Sequence, residues 1–330
     1  MGVQSNVWGL DRNLTSPTTL NWVIGVEREI PASFIVTANY SGSHTWGALS
    51  GTDFNRFAGD LLDGNLDRLT SNFGSMDYIF NFNELWYKAL LLSVRRSVGH
   101  VISFQASYNL SSSSDLGQGG DRTLGTLYGD FPDQHHMAQN APSAWDVRHR
   151  FTASGLLSPS APFPTSRLSR AVLGSWELGF TVSVQTGTPY TVYNTNDYLS
   201  GGDYNRDGYN YDYPNMPAQD FSGSHSRSQY LNGLFTATDF PTPDIGTEGN
   251  FKRNSYRNPG FFGINTSVIK QTKVPFLGDR GTMQFRGDFF NLFNRANLGS
   301  VDSNLADSTF GTVQSQLDPR VIQVGAKIIF

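Results

Sequence analysis

Asp203, Asn205 and Asp207 stand two residues apart in the run D-Y-N-R-D-G, which Gly208 closes. Side-chain oxygens at positions one, three and five, with a glycine turning the chain at six, suit a hard cation such as Ca2+. Position seven would add the Tyr209 backbone carbonyl. Position twelve is Pro214, so the bidentate Glu of a complete EF-hand loop is missing and Asn210 or Asp212 would have to stand in. Two readings are open. Asp203, Asn205, Asp207, Tyr209 and Asp212 hold Ca2+ and order the loop around them, or the segment is an acidic, turn-rich loop without an ion. No other cofactor is called for.

Tyr190, Tyr193, Tyr198, Tyr204, Tyr209, Tyr211 and Tyr213 crowd the same stretch, interleaved with Asn and Asp. Aromatic faces beside amides and carboxylates suit a sugar or another polar organic ligand. The other reading is a loop packed on its own tyrosines. His135-His136 has neither a Glu at zincin spacing nor a Cys nearby, so H-E-x-x-H chemistry is excluded. The serines at 111–114 lack a G-x-S-x-G elbow. Asp212 and Asp220 have no evident apolar pocket that would set one apart as a general acid. The expectation is a binding protein and not an enzyme.

These residues need elements to hold them, and the chain supplies period two almost throughout. Trp176, Leu178, Phe180, Val182 and Val184 alternate with Glu177, Gly179, Thr181, Ser183 and Gln185. The same pattern marks Asn21–Glu29, Phe34–Ser43, Val101–Leu110, Asp146–Leu157, Phe262–Lys270, Gly281–Asn291 and Val321–Phe330. The stretch Glu84–Val94 fits helix or strand by periodicity. Read as a strand over Leu85–Arg96, it brings the expected count to nine.

The connections span 30–33, 44–84, 97–100, 111–145, 159–172, 188–260, 271–280 and 295–319. They run to roughly 4, 41, 4, 35, 14, 73, 10 and 25 residues, so short and long alternate, as in an outer-membrane barrel with periplasmic turns and external loops. A soluble sandwich has mostly short connections. The fold class expected is therefore all-β, an antiparallel up-and-down transmembrane β-barrel of about nine to ten strands belonging to a larger barrel. A small passive barrel, or a soluble β-sandwich that binds carbohydrate, is the alternative.

Composition agrees. Apolar residues make up 38% and charged ones 16%, with 24 Phe, 14 Tyr and 6 Trp among 330 residues. So many aromatics argue against disorder, and half of every barrel strand is free to be polar. No window of 18 apolar residues exists, so helical spans are excluded. A net charge of −4 speaks against nucleic acid as a partner, and the absence of Cys excludes a disulfide scaffold. The alternation places Trp176, Phe180, Phe285, Phe289 and Ile328 against lipid. Asp146, Arg148, Arg150, Glu177, Arg286 and Asp288 are placed inside, paired laterally along the lumen wall.

The chain ends on Ile322, Val324, Ala326, Ile328 and Phe330, apolar at every second position with an aromatic last. This resembles the signal by which the bacterial barrel-assembly machinery receives its substrates. Eight blocks in order strengthen the likeness: TLNWVIGVEREIPASFIVTANYSGSH, WYKALLLSVRRS, SFQASYNLSSSSD, WDVRHRFTASGLL, GSWELGFTVSVQTGTPYTV, GNFKRNSYRNPGFFGINTSVIK, MQFRGDFFNLFNRANLG and PRVIQVGAKIIF. Together they resemble the C-terminal half of the barrel in Oar-like TonB-dependent outer-membrane receptors. DVRHRF at Asp146–Phe151, QTGTP at Gln185–Pro189 and FRGDFFNLFN at Phe285–Asn294 are the most specific.

That resemblance implies a bacterial outer-membrane location, contact with outer-membrane lipid and an unknown extracellular ligand. It also implies a plug and a TonB-contact box, neither of which matches a segment here, so TonB would be reached only through preceding parts. The start MGVQSNVWGLDRN has no signal-peptide pattern. Residues 1–17 are accordingly expected to be the remnant of a preceding strand or loop, and 18–330 the C-terminal part of the barrel. An open sheet of nine strands leaves two unpaired edges; a closed small barrel would need a tenth strand from the N-terminal segment.

Overall fold

The computed structural model describes residues 5–98, 101–117, 140–159, 172–197, 199–223, 225–274 and 281–329. Its strands are β1 (Ser5–Leu10), β2 (Thr18–Ile30), β3 (Phe34–Asp53), β4 (Phe73–Val98), β5 (Ile102–Asp115), β6 (Ala141–Pro142) and β7 (His149–Leu157). They continue with β8 (Trp176–Gln185), β9 (Pro189–Tyr190), β10 (Tyr256–Arg257), β11 (Phe261–Lys273), β12 (Thr282–Phe290) and β13 (Val321–Ile329). A short helix, α1 (Arg227–Asn232), starts at a capping box in which Ser226 and Gln229 satisfy each other's backbone amides.

Nine long strands lie side by side in chain order, β2-β3-β4-β5-β7-β8-β11-β12-β13, every neighbouring pair antiparallel. Short connections join them at one end and long ones at the other. Among the described residues the sheet does not close, because β2 pairs only with β3 and β13 only with β12. The N-terminal segment supplies no tenth strand at that edge. Instead β1 runs parallel to the start of β4, Gly9 beside Tyr78 and Leu10 beside Ile79.

Residues paired across strands share a face of the sheet, so the register sorts the side chains row by row. One row reads Val26, Ala38, Leu92, Tyr108, Phe151, Val184, Phe262. Its neighbour, on the opposite face, reads Glu27, Thr37, Ser93, Ser107, Thr152, Ser183, Gly263. The next is again apolar: Val36, Val94, Ala106, Ala153, Val182, Ile264, interrupted only by Arg28 on the edge strand. Trp176 shares a row with Phe285 through Lys270, and Phe180 with Phe289 through Thr266. Glu177 and Arg286 share one on the other face through Ile269.

The apolar rows are exposed. Ile24 is 73% accessible and Val324 86%, and Leu92, Phe151, Val184, Phe285 and Ile328 are all uncovered. Water is a poor solvent for such a surface, and a band of this extent marks contact with another apolar phase. Along β4 the apolar run Leu90, Leu92, Val94 is bracketed by Lys88 and Arg96. A tilted strand of about 9–11 residues spans the hydrocarbon layer, which matches that bracket. At the short-turn end, Lys270 sits on the lipid-facing side over the Trp176 ring, 5.6 Å from its centre, and its ammonium reaches back to the Gly174 carbonyl. That is how a lysine near a membrane edge keeps its charge out of lipid.

The polar face is laced laterally. Arg95 meets Glu27 at 3.3 Å, Thr37 donates to Glu27, and Ser107 and Thr152 exchange a hydroxyl bond of 2.8 Å. Arg150 donates to Gln185 at 3.1 Å, while Arg286 pairs with Asp288 within β12. Asp146 and Arg148 depart from the expected wall, because β7 begins at His149. Asp146 is buried at the rim against Arg257 of β10, and Arg148 donates to the Ser111 carbonyl.

Two connections are shorter than alternation suggests. β3 and β4 extend past the apolar band to Asp53 and from Phe73, so the expected loop 44–84 shrinks to 54–72. A register shift between Thr45 and Leu49 breaks the period just where the strands leave the membrane. Of the expected loop 111–145, residues 111–115 belong to β5 and 141–142 to β6.

Candidate functional site

The hydrophobic core lies in the loops and not between strands. Tyr190, Val192, Tyr213, Phe221, Tyr230, Phe235, Phe240 and Phe251 come from the connection after β8, joined by Tyr256 of β10, and Val301, Phe310 and Val313 from the connection after β12. Phe235, Phe240, Tyr256 and Phe310 meet at ring separations of 5.0–6.3 Å, largely edge-on, the geometry that aromatic quadrupoles favour. Backbone bonds knit the two loops together: Tyr193 N to Ser303 O at 3.1 Å, Leu305 N to Tyr193 O at 2.8 Å and Val313 N to Tyr230 O at 3.0 Å. The long loops thus form one folded layer on the extracellular end of the sheet.

Two arginines fasten this layer to the rim. Arg253 pairs with Asp115 at the end of β5, both side chains essentially inaccessible, and also donates to the Asp115 carbonyl at 2.9 Å. Arg257 pairs with Asp146 ahead of β7 and donates to the Gly187 carbonyl at 3.1 Å. Asn254 between them donates to Pro142 O at 2.8 Å. The close approach explains the glycine of QTGTP. A Cβ on Gly187 would stand 1.8 Å from the Asn258 carbonyl oxygen. Sequence reasoning missed these anchors, although the run K-R-N-S-Y-R-N-P carries both arginines inside a block otherwise rich in aromatics.

The tyrosines do not form one platform. Tyr190 is in the core, and burial pushes its hydroxyl far above its ordinary pKa. Tyr204 is buried and accepts from Asn194 at 2.8 Å. Tyr209 lies under the Arg56 guanidinium, 4.4 Å from ring centre, with Arg68 at 5.8 Å. Among the described candidates, Tyr193 and Tyr211 keep a surface role, stacked at 5.5 Å with Tyr211 58% accessible. Tyr198, Phe330, His135 and His136 fall outside the described residues.

The acidic run is brought together. Asp203, Asn205, Asp207 and Asp212 are all nearly or fully inaccessible. Asp203 accepts from the amides of Asp207 and Gly208, at 3.1 and 3.0 Å, and Asn205 Oδ1 also accepts from Asp207 N at 3.1 Å. Asn205 Nδ2 donates to Asp207 at 2.9 Å, and Asp207 accepts from Tyr209 N at 2.9 Å. Gly208 turns the chain at φ +85°, a conformation that costs glycine little. Asp212 reaches back to accept the amides of Tyr204 and Asn205 through Oδ2. The 54–72 loop closes over this turn, with Gly59 N on Asn205 O at 2.7 Å, Leu61 N on Arg206 O at 2.8 Å and Arg56 paired with Asp207.

A sheet with one face of exposed apolar rows, a polar opposite face, short turns at one end and a folded loop layer at the other defines a transmembrane β-barrel wall. The chain belongs to the outer membrane beta barrel domain family, whose model matches residues 1–323, and it is a protein of the bacterial outer membrane. Among solved structures, the Escherichia coli outer membrane transporter YddB is similar with a TM-score of 0.54 at 10% identity, over 99% of this chain. The chain spans 34% of that transporter's length. The structure of the FpvAI-pyocin S2 complex matches at 9% identity over 93% of this chain and 26% of that one, with a TM-score of 0.43. The comparison with curated proteins finds no match.

Proposed function

We propose that this chain is the C-terminal barrel portion of an Oar-like, TonB-dependent receptor whose complete form takes up an extracellular ligand across the outer membrane. The observation that carries the reading is the open sheet. Among the described residues nine strands end in two unpaired edges, β2 and β13, in a chain about a third as long as a known transporter of similar fold. Unpaired backbone groups in lipid cost several kcal/mol each, so further strands are needed to complete the wall. Glu27, Thr37, Ser93, Gln105, Ser107, Thr152 and Ser183 border an open concavity of about 430 Å³, and this polar face can meet water or part of a plug. TonB would act through the segments that carry plug and contact box. Ligand contact falls to the loop layer, where Tyr193 and Tyr211 present their stacked rings. On β13, Ile322, Val324, Ala326 and Ile328 share the lipid-facing rows with Phe289, Gly287, Phe285 and Met283, the surface by which the assembly machinery would receive the last strand.

The reading frame upstream of codon 1 tests this. The expected result is an in-frame plug and signal peptide; a ribosome-binding site directly before codon 1, with no open frame ahead of it, would contradict the proposal. Planar-bilayer recording separates the alternative. A discrete, long-lived pore formed by residues 1–330 alone would favour a small passive barrel.

A further inference from the structure

We propose that residues 203–212 form a calcium site that pins the connection after β8 to the 54–72 loop above the membrane. The donors are Asp203, Asn205 and Asp207, the Tyr209 carbonyl, and Asp212 from across the turn. No three Asp, Glu or His side chains among the described residues suffice by themselves to hold a metal ion, so the Asn205 amide oxygen and the Tyr209 carbonyl are integral to the set. A mixture of carboxylate, amide and carbonyl oxygens is what Ca2+ takes.

One buried oxygen points to an ion and not merely to an acidic turn. Asp212 is fully inaccessible, and its Oδ1 has no hydrogen-bond partner while Oδ2 is held against the turn by the Tyr204 and Asn205 amides. A buried carboxylate oxygen without a partner costs free energy unless something cationic meets it. Arg56 pairs with Asp207, the Arg206 charge acts on Asp203, and Arg68 donates to the Asp207 carbonyl at 3.0 Å. Asp212 Oδ1 remains the buried oxygen that a cation would meet.

The consequence is mechanical. The backbone oxygens of Asn205 and Arg206 accept from Gly59 and Leu61, so an ion that fixes the turn also fixes the 54–72 loop that covers it. Binding to the folded chain only would stabilise this joint by mass action.

Glu248, whose carboxylate accepts from Tyr213 N, adds a further negative charge beside Tyr204.

The test is calorimetric titration of CaCl2 into the full chain in detergent micelles after chelation. One saturable site is expected, with a Kd of about 10⁻⁴–10⁻³ M, as for extracellular modules, weakened at least tenfold in D203N and D207N. No saturable binding up to 10 mM, or unchanged isotherms in both variants, would overturn the proposal. If the variants do not fold, the wild-type protein decides. Ca2+ should slow proteolytic cleavage between 199 and 212 at least fivefold where equal Mg2+ does not, and equal rates in both would overturn it.

Discussion

Replacing Arg253 by Ala is expected to release the loop layer from the barrel rim at a cost of about 3–5 kcal/mol, the usual consequence of stranding one partner of a buried ion pair. Arg253 and Asp115 are 1% and 0% accessible, so neither charge can recover hydration while the layer stays docked. The lost guanidinium would leave Asp115 buried with a full charge, and it would also leave the Asp115 carbonyl without its 2.9 Å donor. The cheapest response is for the end of β5 to separate from the segment around Asn254. Hydrogen exchange at residues 251–257 should then accelerate by at least two orders of magnitude while β7 and β8 stay protected. A double replacement, R253M with D115L, removes both charges and should restore much of the protection, because an apolar pair of similar volume avoids the desolvation cost. Equal loss in the single and double variants would show that the anchor acts through shape alone.

The second large effect is expected on the membrane face. Leu92 lies midway between Lys88 and Arg96 in an apolar row with Val26, Ala38 and Tyr108, and Ser93 lies in the polar row with Thr37 and Ser107. L92R places a guanidinium at the centre of the hydrocarbon layer and should cost about 2–4 kcal/mol. S93R, one residue away, turns its charge into the wet concavity near Glu27 and should cost less than about 1 kcal/mol, like an exposed substitution elsewhere. Urea unfolding of the two variants from vesicles compares them. A one-residue slip in register would invert the order, since it moves every side chain of a strand to the opposite face.

What could be read in advance follows the range of each interaction. Strand positions and faces rest on period two within ten residues. The nine long strands appear where Trp176–Gln185, Gly281–Asn291 and their counterparts alternate. The acidic turn is also local, six residues whose side chains bond to one another's backbone. By contrast, β1 beside β4 and Arg253 beside Asp115 join residues far apart in sequence, with no periodic trace in either partner. The tyrosines show why composition misleads. Tyr190 and Tyr213 look alike as candidates for a ligand surface, yet Phe235, Phe240 and Phe310 arrive from later segments and bury both. Parity places Asp146 on the lumen wall, but β7 starts three residues later and Arg257 draws the carboxylate into the rim. The extension of β3 to Asp53 was missed because the register shift after Thr45 destroys the alternation that would have marked it.

The central claim, that one face of this sheet meets lipid and the other an aqueous interior, is open to direct measurement because the chain contains no cysteine. Single cysteines can be introduced at each position from 178 to 185 of β8 and spin-labelled in bacterial outer-membrane vesicles. Oxygen, which partitions into lipid, should relax labels at Leu178, Phe180, Val182 and Val184. A water-soluble nickel chelate should relax those at Gly179, Thr181, Ser183 and Gln185. Alternation of opposite phase, or equal nickel access at all eight positions, would contradict the account.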